Sequence, residues 1–182
     1  MDSFAKHTVE EVANMTEHAE LIHGNIVIEN KTTVTHNLAV SEIATSLKKY
    51  ISSHDGDCRV FTENVALYCN ELTQSKDHFF LPDVMVVCNP EGIDDAGVHV
   101  APLFVAEVTS EATRKNDYFD KMMVYREIGV EEYWVVDIQR KIVNKYLLSN
   151  DYPETYTYPE TVKVSVYPEL SIDLSEFMRS NS

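Results

Sequence analysis

Two stretches decide how this chain is read: FLPDVMVVC, Phe80 to Cys88, and LFVAEVTS, Leu103 to Ser110. Each is a short apolar run of the kind that forms a buried β-strand. Each also carries one carboxylate, Asp83 in the first and Glu107 in the second. An unpaired charge inside a sheet is so unfavourable that it recruits a cation, a metal or a proton. Two such carboxylates on neighbouring strands point to a divalent-metal site. Side chains alternate along a strand, so Asp83 shares a face with Met85 and Val87, and Glu107 with Val105 and Thr109. With the strands adjacent and in register, both carboxylates converge on one ion. Mg2+, or Mn2+ in its place, suits such a hard oxygen set, with water and substrate phosphate completing the shell.

Outward from these strands the pattern alternates between helix and strand. Thr8-Val9-Glu10-Glu11 reads as a capping box that opens a short helix reaching about Met15. AELIHGNIVIEN reads as a hairpin turning at His23-Gly24-Asn25. Ala39, Ile43, Leu47 and Ile51 recur at helical spacing within His36 to Ser52. RVFTENVALYC, from Arg59, reads as a strand, and HDGD before it as a turn. After Glu107 a helix is expected from about Arg114 to Ile128, with Gly129 as its C′ glycine. EYWVVD, Glu132 to Asp137, is almost wholly apolar and so central in the sheet, and KIVNKYLL pairs with it. A strand at Val162 to Val166 and a short helix at Leu174 to Met178 close the chain. No repeat or linker divides it, so one domain over residues 1–182 is expected, α/β or α+β in class, with a central mixed sheet flanked by helices.

Composition bounds the function. The chain has 182 residues, 44% of them apolar, and only five glycines, which supports a real core and excludes a fibrous or low-complexity protein. No apolar run approaches the ~20 residues that cross a bilayer, and the N-terminus lacks the apolar segment of a secretory signal. Three cysteines, Cys58, Cys69 and Cys88, form no C-x-x-C pair, so reduced thiols in a cytoplasmic protein are expected. The net charge of −15, from 15 basic and 30 acidic residues, opposes long-range attraction to polyanions. H-E-x-x-H, G-x-S-x-G and Walker-type motifs are absent, and the seven histidines show no metal-ligand spacing.

Further candidates lie near the two strands. Asp117, Lys121 and Tyr125 share one helix face at i, i+4 and i+8. A lysine there can hold a scissile phosphate or orient an attacking water. Glu20, beside an apolar strand, is a further carboxylate, read either as a second ligand or as a group that helps to hold an active-site base. Ordinary roles compete with each assignment. Asp83 follows Pro82 and can cap a turn, Glu107 can pair with a lysine, and Asp117 and Lys121 can form a solvated pair. His36, alone at a helix start, reads as a cap or surface residue.

Taken in order, ELIHGNIV, His36-Asn37, LPDVMVVC, APLFVAEVTSEAT, DYFDKMMVY and GVEEYWVVD resemble the Uma-type endonuclease family, from about Thr8 to Phe177. That family is similar to the restriction-endonuclease-like superfamily with its PD-(D/E)-x-K core. The resemblance implies a restriction-endonuclease-like fold, a Mg2+-type site and hydrolysis of phosphodiester bonds in nucleic acid, most simply DNA. It assigns Asp83 to the PD element and Glu107 to the second acidic position. It also implies Glu20 as the early acidic position. Thr109 stands where the pattern has lysine, and Lys121 becomes the relocated lysine. Asp83, Glu107 and Glu20 are then the implied metal ligands, and Lys121 joins them in the implied catalytic set.

Two rival expectations remain: a non-catalytic module that keeps the nuclease fold for regulation or protein interaction, and a small-molecule phosphoesterase. The acidic charge favours both, because binding many phosphates requires Lys and Arg. A rim of Lys31, Lys48, Lys49, Arg59, Lys115 and Arg126 along one cleft would favour a nuclease. Restriction-type nucleases often cut two strands as a homodimer, although no segment here identifies an interface.

Overall fold

A computed structural model describes residues 6–28, 32–150, 152–158 and 160–178 of the chain. The predicted capping box is present at α1 (Val9–Ala13): Thr8 Oγ1 accepts the Glu11 N–H, and Glu11 accepts the Thr8 N–H. β1 (Ala19–Ile22) and β2 (Asn25–Ile28) pair antiparallel. Their turn residues, His23 and Gly24, both have positive φ, at 51° and 75°. A type I′ hairpin turn requires that combination. α2 (Val34–Ser53) starts at the Thr33 cap, and Ala39, Ile43, Leu47 and Ile51 form its buried stripe as the spacing predicts.

The central sheet has six strands in the order β3-β4-β5-β6-β7-β8. They are β3 (Arg59–Thr62), β4 (Val84–Val87), β5 (Phe104–Thr109), β6 (Glu132–Asp137), β7 (Ile142–Leu147) and β8 (Glu154–Thr157). β5 and β6 run parallel and every other pair antiparallel. A parallel pair needs a crossover, and the helical segment between β5 and β6 supplies it. One face of the sheet packs Val84, Val86, Phe104, Ala106 and Trp134 against the α2 stripe. The other packs Met85, Val105, Tyr133 and Val135 against Val124 and Tyr125 of the crossover helix. The fold is therefore mixed α+β, a six-stranded mixed sheet flanked by helices.

Several elements differ from the sequence expectation. The strand from Arg59 stops at Thr62, because Asn64 takes a left-handed φ of 59°, and α3 (Cys69–Leu72) follows instead of more strand. The crossover is not uniformly α-helical: Asn116–Lys121 is π-helical and runs into α4 (Met122–Ile128), which Gly129 ends in the αL conformation. The Tyr133 hydroxyl donates to the Asp117 carbonyl at 2.8 Å, a side chain inserted into the helix ladder at the widened turn. Near the C-terminus β9 (Val162–Lys163) is shorter than expected and pairs with β10 (Ser171–Ile172), and α5 (Ser175–Met178) follows.

The cysteine expectation is also corrected. Cys58 and Cys88 are joined as a disulfide, and only Cys69 remains a free, buried thiol. Arg59 is the register partner of Val87, so the next opposed pair along β3 and β4 is Cys58 and Cys88. Reading cysteine spacing along the chain misses such cross-strand partners. Among the described residues, no helix is long and apolar enough to cross a membrane.

Candidate functional site

The β4–β5 register places Met85 opposite Val105 and Val84 opposite Ala106. One step further, Asp83 stands opposite Glu107 on the same face. The backbone locks this pairing. The Asp83 N–H donates to Glu107 Oε2 at 3.3 Å, and the Val108 N–H donates to Asp83 Oδ2 at 2.7 Å. Pro82 contributes no N–H, so the chain enters β4 at Asp83 without an unsatisfied donor.

Behind Glu107 lies a buried ionic cluster. Lys121 Nζ is 2.8 Å from Glu20 Oε2, 3.1 Å from Glu107 Oε1 and 3.6 Å from Asp117 Oδ1. Lys121 is only 1% exposed, so the solvated-pair alternative for Asp117 and Lys121 fails. The π turn keeps both residues on the inward side of the crossover. Tyr125 completes the set by donating its hydroxyl to Glu107 Oε1 at 2.7 Å. Burial pushes the Glu107 carboxyl up to about 8, with Asp117 and Glu20 adding to the rise and Lys121 and Tyr125 opposing it. Burial likewise drives the Tyr125 phenol well above its usual range, so it stays a donor.

Sequence reasoning placed Glu20 and Lys121 in or beside the Asp83–Glu107 set, and the structure puts Lys121 against Glu107 and Glu20 against Lys121. Glu20 Oε1 accepts the Leu81 N–H at 2.8 Å, and Oε2 faces Lys121. Neither residue lines the cleft onto which Asp83 and Glu107 open.

The cleft has a volume of about 510 Å³. Its walls come from β2, the first turn of α2, the end of β5, the start of the crossover and Phe177 of α5. Asp83, Glu107 and Asp117 reach it. So does His36, whose Nε2 lies 3.1 Å from Asp83 Oδ2. The sequence reading treated His36 as a cap or surface residue. Its backbone N–H is indeed bonded to the Thr33 cap, but its ring turns onto Asp83. Glu63, just past β3, is a third member that the sequence reading did not single out. One donor atom each from His36, Glu63 and Asp83 lies within 4.8 Å of the others. The only sequence signal for His36 was its place in the His36-Asn37 segment of the family resemblance. Linear spacing gives none for Glu63, since the sheet register brings it to Asp83.

Carboxylates with an adjacent imidazole are donors a divalent ion accepts, so the residues present fit a metal. The cleft is otherwise poor in cations. None of Lys48, Lys49, Arg59, Lys115 and Arg126 lines it, and Lys31 lies outside the described residues. Hydroxyl side chains, including Thr33, Thr109, Ser110 and Thr113, supply much of the polar lining.

Comparison with known proteins adds two matches. A family model described as Uma2, putative restriction endonuclease, matches residues 5–175. A crystal structure of a putative nuclease belonging to DUF820 from Anabaena variabilis superposes with a TM-score of 0.72. It is 19% identical, and the match covers 94% of this chain and 97% of that one, which establishes a shared fold. No curated protein matches the sequence.

Proposed function

The chain belongs to the Uma2 family of putative restriction endonucleases, and from that premise we propose that it is a metal-dependent endonuclease hydrolysing phosphodiester bonds of nucleic acid, DNA in the first instance. The observation that carries this reading is the cross-strand pairing of Asp83 with Glu107 at the floor of an open cleft. Asp83 and Glu107 would hold the ion, Mg2+ or Mn2+. A divalent ion bound there supplies a Lewis acid for the phosphate and a water of lowered pKa. The protein's own part is to fix geometry. Tyr125 and Lys121 hold Glu107 from behind, Glu20 holds Lys121, and the Val108 N–H sets the angle of Asp83. Lys121 also offsets the charge of the carboxylates around it, which keeps Glu107 ionisable in a dry site. Its role is positioning, since Glu107 stands between it and the cleft.

Incubation of supercoiled plasmid and of single-stranded oligonucleotides with Mg2+ and with Mn2+ tests the proposal. Nicking or cleavage by the wild type, lost in Glu107→Gln, is expected. No cleavage of any nucleic acid with either ion would overturn it.

Among the described residues no Lys or Arg lines the cleft, which favours a second reading, a non-catalytic module that retains the fold. A surface that tracks a phosphate backbone is normally basic. On that reading Glu107→Gln and the wild type are indistinguishable in every cleavage assay, whatever the ion.

A further inference from the structure

We propose that His36, Glu63 and Asp83 form a mixed imidazole–carboxylate site that takes a first-row transition ion in preference to Mg2+. This rests on the metal-dependent reading above and deepens it by naming a ligand set and an ion class. Three separate elements deliver the three side chains: the first turn of α2, the exit of β3 and the entry of β4. Each is fixed by backbone bonding. The Thr33 hydroxyl accepts the His36 N–H at 3.1 Å, the Glu63 N–H donates to the Asp83 carbonyl at 3.2 Å, and Val108 holds the Asp83 carboxylate at 2.7 Å. Such a frame brings donors together before any ion arrives, which lowers the ordering cost of binding.

The distances suit one ion. His36 Nε2 and Asp83 Oδ2 are 3.1 Å apart. Two neighbouring ligands at right angles on an ion with bonds of about 2.1 Å stand about 3 Å apart. Glu63 offers an oxygen within 4.8 Å of both, within reach of a side-chain rotation. The site is not sealed, since His36 and Asp83 both line the 510 Å³ cleft, and water or a substrate oxygen can complete the shell. Glu107 is differently committed: Lys121 and Tyr125 engage Oε1, and the Asp83 N–H engages Oε2.

Imidazole decides the ion class. Mg2+ takes oxygen ligands and gives up its waters reluctantly. Imidazole suits Zn2+, Fe2+, Co2+ and Ni2+, and affinity for such a site rises along the first-row series. A ligand set with one histidine therefore discriminates by chemistry, where the Asp83–Glu107 pair alone discriminates little.

Calorimetric titration of the full chain with Co2+ and with Mg2+, each alone, tests this, with the Co2+ visible absorption band as a second readout. Circular dichroism confirms that each variant is folded. Co2+ is expected to bind the wild type about tenfold or more tighter than Mg2+. His36→Gln should weaken Co2+ by about tenfold or more and shift its absorption while Mg2+ affinity changes little; Glu63→Gln removes an oxygen ligand that either ion accepts and should weaken both, Co2+ by about tenfold or more. Glu107→Gln should leave the Co2+ preference in place. Equal affinities for the two ions, a preference lost in Glu107→Gln or kept in His36→Gln, or a Co2+ affinity unchanged in Glu63→Gln, would overturn the assignment. No nucleic acid enters the measurement. Tight Co2+ binding with the expected variant pattern in a protein that cleaves nothing would leave this site standing and remove the hydrolytic reading alone.

Discussion

Lys121 Nζ lies 2.8 Å from Glu20 Oε2, an ion pair that ties the first hairpin to the crossover helix beneath the sheet. The same ammonium reaches Glu107 and Asp117, so one cation serves three carboxylates in a region almost closed to water. Removing one partner of a buried pair costs more than the pair contributes, because the remaining charges are left uncompensated.

Lys121→Met should therefore be strongly destabilising. Methionine fills the volume of the stem but leaves the buried Glu20 and Asp117 carboxylates without their cation and Glu107 without one of its donors. A loss of about 3–5 kcal/mol is expected in urea unfolding near neutral pH. A loss within about 0.5 kcal/mol, as for an ordinary surface substitution, would show that the cluster is solvated in solution.

Asp83→Asn should behave in the opposite way. Asn keeps an oxygen to accept the Val108 N–H and removes a charge from an acidic cleft. The metal-free variant is expected to melt at or slightly above the wild-type temperature. Metal-induced stabilisation should disappear; in the wild type it should reach about 2.7 kcal/mol at one hundred times the Kd. Thermal melts with and without Mn2+ decide the matter. A large drop in the metal-free melting temperature would mark Asp83 as a structural cap.

The framework of the fold was legible because it follows from local pattern. The capping box at Thr8, the α2 stripe and the apolar run of β6 each announce their element within a few residues. The Asp83–Glu107 pairing was legible because strand alternation and neighbouring order fix which side chains share a face. Relationships created by the sheet were not legible. Cys58 meets Cys88, and Glu63 approaches Asp83, only through the β3–β4 register. Whether Lys121 faces solvent or core also escaped the sequence, because i, i+4 spacing is the same for a solvated pair and a buried one. The π turn that carries both residues is bonded at the Asp117 carbonyl by Tyr133, a residue of β6 distant in sequence.

If cleavage activity is found, Lys121→Ala, assayed where circular dichroism shows it folded, should lower turnover by about 10- to 100-fold, the effect of losing a group that orients a ligand. It would act by releasing Glu107, so the metal concentration needed for half-maximal activity should rise as well. Lys115→Ala should change turnover little, since Lys115 is exposed at the start of the crossover. Equal effects from both lysines, or a larger effect at Lys115, would remove Lys121 from the active assembly.

His99 provides a pH-sensitive clasp away from the cleft. Its ring sits between Glu71, at 2.9 Å, and Asp94, at 3.2 Å, and stacks on Tyr68. Partial burial lowers its proton affinity, but the hydrogen bonds to Glu71 and Asp94 outweigh that and raise its pKa above the ordinary value. A raised histidine stabilises the fold most below its unfolded pKa and loses that contribution as pH rises through the folded value. Amide-exchange protection around Asp94 to Gly97, taken relative to the intrinsic rate at each pH, should therefore fall as pH rises from about 6.5. Glu71→Gln should move the His99 titration, followed by NMR, to lower pH. No displacement in that variant would show that the ring is not held by Glu71.

Glu107 gives a second pH dependence of opposite chemical origin. Burial holds its folded carboxyl at about 8, far above an exposed glutamate. Below about pH 4.3 the folded and unfolded chains both carry this proton, and it contributes no slope. Between that value and about 8 the folded chain keeps the proton and the unfolded chain has lost it. Stability should then fall as pH rises across this window and level off above it. Glu107→Gln removes the titrating group while preserving an oxygen for Tyr125 and Lys121. Urea unfolding of both proteins in metal-free buffer, from about pH 5 to about pH 9, isolates the effect as a difference. The wild type should lose stability relative to the variant as pH rises, and the difference should flatten above about 8. A difference that stays constant, or one that grows in favour of the wild type, would show that Lys121 keeps Glu107 ionised throughout.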